Sequence, residues 1–168
     1  MNADGSDLRA HPYSLRFQTL QAFAAYPVLK ILESWTTSAE KEAMIFELHR
    51  QHAEGVVFKN SEAAYRPGRA GQHFKLKFEK TATARVRDVD PVRDRVSVEM
   101  LDGDVWREVC GLKVPNGTLH VGQYVEVKYL YSTPDQRPVQ PRFLTLRADV
   151  CQTDCLLSQV SCGGKWNR

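Results

Sequence analysis

Six basic residues, Lys59, Arg66, Arg69, Lys75, Lys77 and Lys80, crowd one short stretch in which only Glu62 and Glu79 are acidic. The whole 168-residue chain carries a net charge of only +3, so the positive charge is concentrated here. Two segments in this region alternate in the manner of strands. Over Glu54 to Lys59, Glu54, Val56 and Phe58 face one way and Val57 and Lys59 the other; over His73 to Phe78, Lys75 and Lys77 project from one face. Neighbouring ammonium groups repel each other unless an anion lies between them, and a phosphate-bearing partner would supply that anion. The competing explanation is a lysine-bearing edge strand that resists aggregation, followed by an ordinary solvated loop.

The elements that would position these groups fall into two textures that change near residue 79. Before it, helices and strands alternate. A helix is expected from Pro12 to about Ala25, with Leu15, Leu20, Phe23 and Ala24 on one face and Tyr26-Pro27 as its stop. A strand is expected over Val28 to Trp35. Thr37 and Glu40 have the spacing of a capping box, and Met44, Ile45 and Leu48 recur at helical intervals, which predicts a second helix to about Gln51. The polar stretch Asn60 to Gln72 reads as a loop. Beyond residue 79 the period is two, and strands are expected at Thr81 to Val89, Arg95 to Leu101, Trp106 to Val114, Tyr124 to Tyr131 and Arg142 to Leu146. Asp102-Gly103 is a hairpin signal, and Asn116-Gly117 and Pro134-Asp135 mark further loops. Five short strands in so little chain predict a small closed or nearly closed barrel, an OB-fold first and an SH3-like barrel second.

Composition narrows the class. With 42% apolar residues the chain can bury a core. No apolar run approaches the roughly 18 to 20 residues of a membrane span, and the polar start predicts a cytoplasmic protein. The four cysteines, Cys110, Cys151, Cys155 and Cys162, lack paired metal-ligand spacing and read as reduced thiols. The five histidines are scattered. Tyr129 and Tyr131 share a predicted strand face, which suits core packing or stacking on nucleotides.

The motifs in order carry a resemblance. EGVVFK at 54–59, the loop containing Pro67-Gly68-Arg69, and FKLKF at 74–78 resemble the fourth and fifth nucleotidyltransferase motifs of ATP-dependent DNA ligases. DGSDLRAHPYSLR at 4–16 resembles the segment after the third motif. Arg147-Ala148-Asp149-Val150 resembles the sixth, and Asp154 to Gln159 looks like the short tail of small bacterial and phage ligases. The resemblance implies an α+β chain, with residues 1–78 the end of an adenylation (nucleotidyltransferase) domain and residues 79–168 an OB-fold domain.

The resemblance also implies roles. Glu54 would help hold nucleotide and a divalent metal, Lys75 and Lys77 would contact the nucleotide's α-phosphate, and Lys59 would join them at the nucleotide phosphates. Arg147 and Asp149 would orient pyrophosphate. Arg66, Arg69 and Lys80 would contact nucleic acid. The family's cofactors are ATP and Mg2+, its partner nicked duplex DNA, and its settings DNA repair, replication and recombination. Two departures stand out. Val150 replaces a usual lysine, and no lysine here is followed by x-Asp-Gly, the pattern of the ligase nucleophile; Asn2-Ala3-Asp4-Gly5 comes near, but a carboxamide has no basic nitrogen to carry AMP. The chain is therefore expected to be a truncated ligase, inactive alone and binding neither cofactor tightly. A separate N-terminal half or self-association would complete it. A stand-alone OB-fold nucleic-acid binder is the alternative.

Overall fold

A computed structural model describes residues 5–68, 71–115 and 117–160. The chain is mixed helix and strand, mostly sheet, and divides into two compact units. One takes the chain up to Leu48 together with Gly55–Leu76; the other takes His49–Glu54 and the chain from Lys77 onward.

In the first unit, α1 (Tyr13–Gln21) begins just after Pro12, whose fixed φ serves the cap position rather than the first turn. It stops four residues before Ala25, and Phe23 and Ala24 lie in turns. α2 (Ser38–Arg50) starts on the expected capping box: the Glu40 backbone N–H donates to Thr37 Oγ1 at 3.3 Å, and the Thr37 N–H donates to the Glu40 carboxylate at 3.0 Å. β1 (Gly55–Lys59) and β2 (His73–Lys77) form a two-stranded sheet. The strand expected over Val28 to Trp35 is not formed, and Val28 and Leu32 are exposed. A strand needs a partner for its backbone groups, and no described strand lies alongside this segment.

The second unit is one five-stranded antiparallel sheet in the order β5-β4-β3-β6-β9. Its members are β3 (Lys80–Asp90), β4 (Arg95–Asp102), β5 (Val105–Lys113), β6 (Tyr124–Tyr129) and β9 (Arg142–Arg147); β7 (Tyr131–Ser132) and β8 (Pro138–Val139) make a small separate ladder. The single strand expected from Tyr124 to Tyr131 is thus broken at Leu130. The β4–β5 loop is Gly103-Asp104, one residue later than the Asp-Gly signal, and Gly103 takes φ +62°, a conformation that favours glycine. Register shifts at Val86/Asp88, Val98/Glu99 and Glu126/Val127 bend the sheet around its apolar face.

Alternation decides the core. Ala82, Ala84 and Val86 of β3 face Val96, Val98 and Met100 of β4, Val109 and Leu112 of β5, and Val125, Val127 and Tyr129 of β6. Tyr129 is fully buried and donates its hydroxyl to the Gln159 carbonyl at 3.2 Å, so it packs in the core and is withdrawn from stacking on a ligand. Of the closed or nearly closed barrel expected from the sequence, the closed form is not reached: no ladder joins β5 to β9 among the described residues. Pro141, just before β9, lines a cleft with Gly111 and Lys113 of β5, and proline has no N–H to extend a ladder there. The chain after β9 covers the core instead. Leu157 and Val160 join it, the Leu101 N–H donates to the Cys155 carbonyl at 2.7 Å, and the Thr83 N–H donates to Gln159 Oε1 at 3.0 Å.

Candidate nucleic-acid interface

β1 buries its Val56 and Phe58 side more than its Val57 and Lys59 side, in the expected alternation. Lys59 donates to the Tyr13 hydroxyl at 3.3 Å and lies 4.5 Å from the centre of that ring. Tyr13 also stacks on Phe17 and takes Arg16 over its ring at 5.6 Å. Arg16 in turn donates to the Ala63 carbonyl at 3.1 Å, fixing α1 against the loop after β1. The sequence reading missed this grouping of cations and rings. The Tyr13-Ser14-Leu15-Arg16 run, with its i, i+3 spacing on a helix, was the available signal.

Every residue of β2 is exposed. Lys75 and Lys77 lie two apart on it and so share a face. Lys77 donates to Gln140 Oε1 at 2.9 Å, which leaves two of its three donors for another acceptor. Arg66 is exposed in the loop and Lys80 half-buried at the start of β3. Arg69 lies outside the described residues, as do Asn2, Asp4, Asn116 and Cys162.

The Arg147 neighbourhood is differently built. Its Nε and Nη2 donate to the two Asp149 oxygens, each at 2.8 Å, and its Nη1 to Glu126 Oε2 at 2.7 Å, where Thr83 also donates at 3.1 Å. These hydrogen bonds raise the guanidinium's pKa and hold the Asp149 carboxyl down at about 2. Three of five donors are committed, and the group of one arginine and two carboxylates has a net negative charge. Nothing in the sequence pattern indicated Glu126.

Among the described residues no cluster is gathered that could hold a metal by itself. Glu54 is exposed, and no group of three His, Cys, Asp or Glu is gathered among the described residues. A Mg2+ ion held through one carboxylate needs substrate phosphates or further oxygens to complete its octahedron. Among the thiols, burial pushes Cys110 up to about 12 and Cys155 up to about 11, which makes both inert at neutral pH.

Set against solved structures, the fold is that of DNA ligases, the class implied by the motif resemblance. The structure described as "DNA binding with a minimal scaffold: Structure-function analysis of Lig E DNA ligases" is 20% identical, with a TM-score of 0.65 over 82% of this chain and 59% of that one. A second, described as Pmar-Lig_Pre, is 17% identical, with a TM-score of 0.65 over 83% of this chain and 40% of that one. The chain thus spans less than two thirds of either, and at these identities the likeness is one of fold. No family model and no curated protein matches the sequence. Among the described residues no helix is long and apolar enough to cross a membrane.

Proposed function

We propose that the chain is the DNA-gripping C-terminal part of an ATP-dependent DNA ligase, which contacts nicked duplex backbone through Lys59, Arg66, Arg69, Lys75, Lys77 and Lys80 and through the OB domain. The observation that carries this reading is β2, an exposed strand that aligns Lys75 and Lys77 on one face within a ligase fold. Residues 1–78 are read as the end of the nucleotidyltransferase domain and residues 79–168 as an OB domain; a bent, five-stranded sheet left open along one seam suits that fold. In an intact relative the reaction is ATP-driven, Mg2+-dependent joining of a 3′-hydroxyl to a 5′-phosphate. This chain holds no lysine in the x-Asp-Gly context, so alone it forms no covalent AMP adduct. The apolar groups exposed on the first unit, Val28, Leu32, Phe46 and Phe74, support completion by a separate N-terminal half or a second copy. The second unit's own core favours a second reading, a nucleic-acid-binding module without catalysis.

A salt titration of nicked and intact duplex tests the shared part of both readings. Each phosphate neutralised contributes about 0.9 to the fall of log affinity with log salt. Lys75→Ala with Lys77→Ala should weaken binding to every duplex and reduce the slope by about one to two. Identical slopes would remove these lysines from the interface. A label transferred from ATP to a lysine, surviving denaturation, would overturn the absence of adenylation.

A further inference from the structure

The lysines of β1 and β2 stand on one face of their two-stranded sheet. The Asn60 N–H, just past the end of β1, donates to the carbonyl of Gln72, just before β2, at 3.2 Å. Residues directly opposed in an antiparallel pair share a face. Lys59 therefore stands opposite His73, and Lys75 and Lys77 follow His73 at two-residue intervals on the same side. Both Lys59 and Lys75 are exposed. They differ in what holds them: Lys75 has no hydrogen-bond or ion-pair partner among the described residues, whereas Lys59 has a single side chain, Tyr13.

Tyr13 holds it twice. Its hydroxyl accepts from Lys59 Nζ at 3.3 Å, and its ring centre lies 4.5 Å from the same nitrogen. The ring also meets His73 edge-on, with centres 6.4 Å apart, so Tyr13 lies at the end of the lysine-bearing face. Tyr13 is itself well fixed. The N–H of the next residue, Ser14, donates to the Ser61 carbonyl at 2.9 Å. Arg16, one turn further along α1, donates to the carbonyls of His11 and Ala63, each at 3.1 Å, and Phe17 stacks on the Tyr13 ring.

We infer that Tyr13 is a positioning residue for Lys59, holding its ammonium at the β1–β2 face before an anionic partner arrives. A free lysine spreads over many rotamers, and losing that freedom opposes binding; a side chain ordered beforehand has lost it already. The hydroxyl occupies one ammonium donor and leaves two for phosphate oxygens. The ring attracts the charge through its negative face without removing a donor. The inference rests on the nucleic-acid reading above. It adds that α1, which carries none of the basic residues assigned to DNA there, sets the readiness of one of them.

The test is a double-mutant cycle, read by titrating a fluorescent nicked duplex at one low salt concentration. The proteins are the wild type, Tyr13→Leu, Tyr13→Phe, Lys59→Ala, and each Tyr13 variant combined with Lys59→Ala. Tyr13→Leu should weaken binding about two- to fivefold, and Tyr13→Phe, which keeps the ring, by less. In the Lys59→Ala background neither should weaken it further, because Tyr13 acts through the lysine. In NMR spectra the Lys59 ε-methylene protons should be shifted upfield by the ring, return to the ordinary lysine position in Tyr13→Leu and stay shifted in Tyr13→Phe. Should the Leu variant unfold, Tyr13→Phe completes the same cycle. Equal losses in both backgrounds would show that Tyr13 serves the fold or touches DNA itself, and would overturn the inference. Full affinity in Tyr13→Leu with weakened binding in Lys59→Ala would remove the positioning role and leave the nucleic-acid reading standing. Wild-type affinity in Lys59→Ala would take this lysine out of the interface and the inference with it. Failure of the wild type to bind duplex at the lowest salt would remove both.

Discussion

The two units obtain their structure by different means. Among the described residues every buried hydrophobic side chain except Ala63 belongs to the second unit, and neither α1 nor α2 has a buried residue. In the first unit, local devices do the work: a proline cap, a capping box, the Lys59–Tyr13–Arg16 grouping and the fastening of α1 to the loop around Ala63. Helices of nine and 13 residues are marginal in water without tertiary packing. In the second unit, alternating strands bury one continuous cluster that the chain after β9 covers. The basic stretch proposed to meet DNA begins in the lightly packed unit, and the ion-paired sheet lies in the well-packed one. Regions drawn from the low-stability end of a fold are those most readily reshaped by a ligand.

Core truncation should separate the units most sharply. Leu112→Ala or Met100→Ala, both at fully buried positions, should cost about 2–5 kcal/mol in urea denaturation. Phe46→Ala in the first unit, where the ring is 74% exposed, should stay within about 0.5 kcal/mol. Comparable losses would show that the first unit has packing of its own. Hydrogen exchange is the next discriminator: amides of β3 to β6 should be protected to near the global stability, those of α1 and α2 much less. Equal protection in both would end the contrast.

The smallest effect concerns acid. Asp149 has its pKa depressed to about 2 from 3.8, chiefly by hydrogen bonds from Arg147. A group whose folded pKa is lowered contributes stability that is present above its unfolded value and lost as pH falls through the folded one. Glu79 is lowered in the same sense by Lys128 and Arg142. The second unit should therefore weaken as pH drops from about 4 toward 2, and Asp149→Asn should flatten part of that loss. A variant with the wild-type acid profile would show that the Arg147 pairing adds nothing to the folded state.

Local pattern determined a good deal of this protein. The Thr37–Glu40 box, the β1 alternation, the placing of Lys75 and Lys77 on one face, and the positions of the principal strands after residue 79 all follow from periods of two and 3.6 and from capping chemistry within a few residues. Neighbour relations that span tens of residues decided the rest. Val28 to Trp35 has strand-like composition, yet a strand exists only where another backbone pairs with it. The barrel stays open at a seam whose partners, β5 and Pro141, are distant in sequence. Glu126 reaches Arg147 across the β6–β9 ladder, Gln140 reaches Lys77 over 63 positions, and Arg95 stands opposite Lys113 through the β4–β5 register. A side chain's period says which way it points, but only the folded backbone decides which charge stands opposite it.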